Sequence, residues 1–191
     1  GNDLESVINA LKKAKDTKNP IVVHLNTQKG EGYAPAEAHR EEFHFSAPYD
    51  VADGEPLQQS NEPNYITNTR DYLLRKVKEN LELLIISSAT PEVFGFMEKE
   101  RKACGNQYVD VAIAEQTGVS TMAGAARGGA KVIYPVMATF LQRAYDQLEQ
   151  DWAMDNSPAV MPVMGTGIRA LTDLTHLGFW DIPMITSIPE I

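Results

Sequence analysis

The sequence predicts an α/β fold built on a doubly wound, mostly parallel sheet. Residues 81–88 (LELLIISS) form a continuous apolar run of strand length, the pattern of a strand buried on both faces. From residue 65 onward such runs alternate with helix-length amphipathic segments. That alternation implies parallel strands joined by right-handed crossovers. The third observation is chemical. The short apolar run 109–113 gives way to a glutamate, Glu115, where a small-residue helix (TGVSTMAGAARGG) begins. The carboxyl ends of parallel strands line the ligand crevice of open α/β sheets, so Glu115 stands at a candidate site. A plainer role is also open, because a glutamate in a first helical turn complements the positive end of the helix dipole.

Taken in order, the elements begin with a helix that Asn2 is expected to cap, with Glu5 completing a capping box. Leu4, Val7, Ile8 and Leu11 follow at helical spacing, and Lys12, Lys13 and Lys15 gather at the far end, where the dipole favours cations. After Pro20, residues 21–25 read as a buried strand that runs into TQKGEGY at 27–33. The glycines beside Lys29 let a backbone approach an anion closely. The spacing is not that of a Walker-type phosphate loop. Residues 34–63 show little periodicity and carry Pro35, Pro48, Gly54, Pro56 and Pro63. A loop this long is usually functional or a linker, so a domain boundary is placed near 54–61, dividing 1–55 from 56–191. His39 and His44 lie in it, and a loop histidine alone is more often a solvated surface residue than a catalyst.

Beyond the boundary the pattern is regular. A helix is expected over 65–80, with Leu73, Leu74 and Val77 facing inward, followed by the strand 81–88. A helix starts near Pro91 and runs to about 102, before the strand 109–113 and the helix at Glu115. A strand over 131–136 precedes a helix from 138 to about 154 that turns Phe140, Leu141, Ala144, Tyr145 and Leu148 inward. The strand 159–163 leads into a Gly/Thr-rich loop carrying Thr175, His176, Leu177 and Gly178. No repeat of fixed period and no low-complexity tract is present.

Composition narrows the function classes. The chain has 191 residues, 43% of them hydrophobic, which is ample for a folded core. A formal charge of -9 gives no basic footprint for nucleic acid or for an anionic membrane. No apolar run reaches transmembrane length. The single cysteine, Cys104, forms no intrachain disulfide and has no metal-ligand set around it, which suggests a structural thiol in a reducing, cytoplasmic setting. Gly1 opens directly into a helix, which suggests a processed product or a fragment.

Glu115, the pair Phe140 and Arg143, and His176 all fall at the carboxyl ends of expected strands, so a carboxylate, an aromatic, an arginine and a histidine converge on one crevice. Each also has an ordinary explanation: Phe140 as core, Arg143 as a surface ion pair, His176 as a turn residue. The segments that carry these residues, DVAIAEQ, ATFLQRAYDQ and THLG, resemble the pyrimidine-binding domain of the 1-deoxy-D-xylulose-5-phosphate synthase family, transketolase-like thiamine diphosphate enzymes. The stretches GNDLESVINALKKAK, TQKGEGYAPAE and FHFSAPYDVADG resemble the tail of that family's diphosphate-binding domain. The similarity thus spans nearly the whole chain, in order, and covers the middle of a full-length enzyme.

What the resemblance implies is specific. Glu115 matches the glutamate that hydrogen-bonds N1′ of the cofactor's aminopyrimidine, and Phe140 the aromatic that stacks on that ring. Arg143 matches a neighbouring arginine, and Lys29 a lysine near the diphosphate. His44 and His176 match histidines near the reacting carbons and in the THxG turn. The family reaction decarboxylates pyruvate and transfers the two-carbon unit to glyceraldehyde 3-phosphate, an aldose phosphate, using Mg²⁺ in a homodimer. The family's metal and diphosphate motif, GDG…N, has no counterpart in this chain, so the resemblance gives no metal-binding residues here. Other departures lie at Thr117, Met137, Met164, Gly165 and Thr172, with Asp173 one place beyond the family's aspartate. Met137 and Met164-Gly165 stand where the family carries a tyrosine and an aspartate-arginine pair for the acceptor phosphate, which makes a different acceptor an expectation. Three other readings remain open: one subunit of a split transketolase-type enzyme, an inactive interaction module of the same fold, and a generic nucleotide-binding domain. The last is disfavoured because no GxGxxG follows the first strand.

Overall fold

A computed structural model describes residues 1–58, 64–168 and 175–191. The chain divides into two compact units, 1–62 and 63–191.

In the first unit, helix α1 spans Leu4–Ala14. Its cap is Asp3 rather than Asn2: the Asp3 carboxylate accepts from the Ser6 amide at 2.9 Å, and these bonds hold its carboxyl below the usual range. Asn2 is engaged elsewhere. Its amide side chain donates to the Gln28 carbonyl at 2.9 Å and accepts from the Gln28 amide at 2.7 Å. The apolar face of α1 is uncovered, with Leu4 71% and Leu11 51% exposed. The strand expected over 21–25 does not form, and Ile21, Val22 and Leu25 are exposed. An extended segment becomes a strand only when a neighbour satisfies its backbone groups, and no described residue pairs with this one. Farther on, the short helix α2, Ala34–Ala38, packs beside a trio of rings, Tyr33, Phe43 and Tyr49, with centroids 5.0 to 5.9 Å apart.

The second unit is the predicted open sheet. Helix α3, Tyr65–Glu79, opens on a capping box between Asn64 and Thr67 and buries Leu73 and Val77. Strand β1, Leu83–Ser87, is its neighbour in sequence. A single helix does not run from Pro91 to 102. A 3-10 turn at Pro91–Phe94 ends on Gly95 at φ 66°, in the left-handed region, and helix α4, Glu98–Cys104, starts afresh. Strand β2, Tyr108–Asp110, is shorter than expected. It leads to helix α5, Glu115–Arg127, and then strand β3, Lys131–Ile133.

The two next strands are each split by a proline. Residues 131–136 divide at Pro135, giving β3 and a separate β4, Val136–Met137. Residues 159–163 divide at Pro162, giving β5, Ala159–Val160, and β6, Val163–Met164. Proline brings no N–H to the ladder, so each strand is interrupted there. The four-stranded sheet has the order β2-β1-β3-β5, and β4 pairs with β6; every pairing is parallel. Between β4 and β5 the chain is helical but not uniformly α. It passes through α6, Ala138–Leu141, a 3-10 turn at Gln142–Ala144, α7, Tyr145–Gln147, and a π-helical stretch at Leu148–Ala153. Tyr145, expected inside, is exposed and shares a 3.1 Å hydrogen bond with Ser187. A last helix, α8, covers Asp181–Thr186.

Both faces of the sheet are covered. Ile85 and Ile86, adjacent on β1 and both 0% exposed, point to opposite sides. Ile86 joins Val119, Met122, Leu141, Ala144 and Leu148 in one core. Ile85 joins Leu73, Val77, Phe94, Phe96 and Cys104 in the other. Burial, aided by Glu100, pushes the Cys104 thiol up, consistent with an inert structural residue. The chain leaves β1 for β2 on one side and then crosses back over β1 to β3. The sheet therefore has a switch point at the carboxyl ends of β1 and β3, where open α/β sheets hold their ligands.

Candidate functional site

The site begins with a turn that delivers Glu115 to the switch point. Asp110 closes β2 and its Oδ1 accepts from the amides of Ala112, at 2.7 Å, and Ala89, at 3.1 Å. One carboxylate thereby ties the ends of β1 and β2 together. Ala89 and Ala112 both sit at positive φ, 56° and 59°. For a residue with a Cβ this conformation is strained, and such strain gathers at ligand sites. The expected strand to 113 ends early because Ala112 turns the chain. Ile113 is left 73% exposed, and Glu115 becomes the first residue of α5.

Glu115 is 3% exposed, and its Oε2 has no hydrogen-bond partner. Nη1 of Arg143 lies 3.2 Å from Oε2, an ion-pair distance whose angles fall short of a hydrogen bond. A buried carboxylate with an unspent oxygen is costly to maintain, which marks the position as one that awaits a donor. Arg143 itself is half exposed and reaches in from the turn after α6. Phe140 lies three residues earlier, in α6. Its ring meets His176 edge-on, with centroids 5.3 Å apart at 86°. His176 Nδ1 also lies 2.8 Å from the Thr175 hydroxyl. Gly178 in this turn has no room for a side chain, since a Cβ would meet Asp181 Oδ2 at 2.0 Å. Thus Glu115 meets Arg143, and Phe140 meets His176, within the second unit. Lys29 and His44 belong to the first unit, where the Lys29 ammonium contacts His44 Nδ1. Thr172 and Asp173 lie outside the described residues.

Sequence reasoning missed two residues at the switch point, Ser88 and Tyr134. Ser88 follows β1, Tyr134 follows β3, and their hydroxyls are 2.6 Å apart in a buried hydrogen bond. Tyr134 is 0% exposed. Its amide donates to the Val160 carbonyl at 2.9 Å, so it still belongs to the ladder. Burial pushes its phenol up to about 12; the Ser88 bond opposes this, and the carboxylates of Glu115 and Asp110 add to it. The sequence signal was faint: a polar tip within two residues of an apolar run, twice.

Tyr108 behaves similarly on the other face, raised to about 12 chiefly by burial. Both phenols keep their protons where an unfolded chain has lost them. Their stabilising effect is therefore complete below pH 10 and is lost as the pH rises toward 12. Urea unfolding between pH 9 and 12 should show stability falling as the pH rises, with the raised Cys104 thiol adding to the two phenols, and Tyr134→Phe should lower the slope by up to about one proton. A slope unchanged in the variant would contradict this.

Among the described residues no cluster of three His, Cys, Asp or Glu side chains could hold a metal ion, and no helix is long and apolar enough to cross a membrane. The pyrimidine end of thiamine diphosphate suits the residues present, because the unspent Glu115 Oε2 matches a ring N–H donor and the segment that supplies Arg143 also carries an aromatic ring, Phe140. Toward the metal end, the described residues offer no such cluster.

The chain is 35% identical over its full length to the 1-deoxy-D-xylulose-5-phosphate synthase of Pelotomaculum thermopropionicum, covering 30% of that protein. It is 36% identical to the enzyme of the same name from Cronobacter sakazakii, covering 31% of it, and 32% identical to that of Halothermothrix orenii, covering 30%. The chain thus spans less than a third of the length of these curated relatives. The family described as "Transketolase, pyrimidine binding domain" matches residues 63–191, the whole of the second unit, and the chain belongs to that family.

Proposed function

We propose that residues 63–191 form the pyrimidine side of a thiamine diphosphate site, and that the full-length protein is a 1-deoxy-D-xylulose-5-phosphate synthase-like transferase. The observation that carries this is the buried Glu115 carboxylate, with Oε2 unspent beside Arg143. In the proposed reaction the bond between C1 and C2 of pyruvate breaks, carbon dioxide leaves, and a new C–C bond forms to the carbonyl carbon of an aldose phosphate. When bound, the cofactor supplies a nucleophilic carbon and an electron sink. The chain supplies the surroundings. Glu115 holds a proton at N1′ of the pyrimidine, Phe140 stacks on the ring, and Arg143 keeps the carboxylate in place. His176, beside Phe140, is assigned to proton transfer at the reacting carbons.

Residues 1–62 are assigned to the tail of a diphosphate-binding domain, with Lys29 contributing to the diphosphate and His44 standing near the reacting carbons. Mg²⁺, a homodimer and a cytoplasmic location belong to the same proposal. The acceptor is left broader than glyceraldehyde 3-phosphate. Met137 and Met164 pair side by side in the β4-β6 sheet and bring no cation for a phosphate, which favours a bidentate arginine.

The test has two arms. The full-length protein should release carbon dioxide from pyruvate only when thiamine diphosphate, Mg²⁺ and an aldose acceptor are present. The 191-residue chain alone should show no tight cofactor binding by calorimetry. Micromolar, Mg²⁺-dependent binding by this chain would refute the assignment of the metal and diphosphate donors to other parts of the protein.

A further inference from the structure

The first turn of α5 carries Glu115 and yet lacks the usual anchor. Its N-cap is Ala114, and no side chain caps the free amides. Alanine is among the poorest caps, about 1 kcal/mol worse than serine or aspartate. The residue two places earlier, Ala112, is strained at φ 59°. Something else must hold this turn in register.

The hydroxyl pair of Ser88 and Tyr134 lies directly beneath it. Gly118 of α5 rests on the pair so closely that a Cβ would come within 2.6 Å of Tyr134 Oη and 3.0 Å of Ser88 Oγ. Gly118 is three residues after Glu115, so both lie on one face of the helix. The tyrosine is rigid and fully buried, and its tip is fixed by the 2.6 Å bond to Ser88. Its ring starts at the end of β3 and its hydroxyl ends at the end of β1, so it spans the two strands that flank the switch point.

We propose that Tyr134, seated by Ser88, is a positioning residue for Glu115: its hydroxyl sets the height and roll of the uncapped first turn of α5. The contact aims the carboxylate into the crevice without spending either of its oxygens. This rests on the cofactor-facing reading of Glu115 given above. A phenol suits the task because it is neutral across the working pH range, and burial raises it further, so it adds a fixed dipole and no competing charge.

The experiment compares Tyr134→Phe with Tyr108→Phe in the full-length protein. Tyr108 is the matched control, raised to about 12 chiefly by burial as Tyr134 is, but packed in the opposite core. In ligand-free protein, hydrogen exchange at the amides of residues 115–119 should quicken in Tyr134→Phe and not in Tyr108→Phe. With thiamine diphosphate, Mg²⁺, pyruvate and an aldose phosphate acceptor, kcat should fall about tenfold to a hundredfold in Tyr134→Phe, with KM within about threefold. The circular dichroism band of the pyrimidine tautomer should weaken in parallel. Ser88→Ala should shift exchange and kcat in the same direction. Unchanged exchange in the first turn, or an equal loss of kcat in Tyr108→Phe, would overturn the proposal. If wild-type protein binds no thiamine diphosphate, the reading of Glu115 falls, and the exchange comparison still decides whether Tyr134 holds the turn.

Discussion

Glu115→Ala in the full-length protein should lower kcat by about two to four orders of magnitude, the usual worth of a group that moves a proton in the transition state. The isosteric Glu115→Gln should lose nearly as much. It preserves side-chain shape but cannot take up and release the proton at N1′. Stability should move little or in the opposite sense, because glutamine removes a buried charge whose Oε2 has no hydrogen bond. A large loss of kcat with an unchanged melting temperature would separate a chemical role from the helix-dipole role. Steady-state carbon dioxide release and a thermal melt on the same preparation suffice. A near-wild-type rate in either variant would reject Glu115 as the cofactor's proton partner.

Gly118→Ala should destabilise the protein by about 1–3 kcal/mol, in the range of overpacked cores. Two effects oppose each other. Alanine is the better helix former by about 1 kcal/mol. Against that, the new Cβ would stand 2.6 and 2.7 Å from Oη and Cζ of a tyrosine that is fully buried and tied to Ser88. The tyrosine cannot yield without breaking that bond, so the steric cost wins. Gly124 supplies the comparison on the same helix. It is exposed, a Cβ there meets nothing within 4 Å, and Gly124→Ala should stabilise by up to about 1 kcal/mol. Urea unfolding of both variants gives the two signs, and a stabilised Gly118→Ala would mean that the helix does not rest on Tyr134.

Much of this was legible in the sequence because it follows from local pattern. The run LELLIISS became a central strand buried on both faces, and Glu115 did start a helix. Arg143 came to Glu115, and His176 came to the ring of Phe140. What escaped depended on partners distant in the chain. Residues 21–25 have the composition of a strand, but composition cannot show whether a neighbour exists. The early end of β2 was hidden because Asp110 bonds Ala89, 21 residues away in sequence, and bends the chain at Ala112. The Ser88–Tyr134 bond joins residues 46 apart. Neither residue type at its own position signals the other.

The changing pitch of the helical segment after β4 has a consequence for how such chains can diverge. A π turn holds one more residue than the α turn it replaces. The stretch Leu148–Ala153 is therefore a reserve of chain length. A lineage that lost one residue there would tighten a wide turn into an ordinary one and leave everything upstream in phase. The same loss between Phe140 and Arg143 would rotate one of them about 100° out of the crevice. One half of this segment can record deletions in its history, and the other half can survive only substitution.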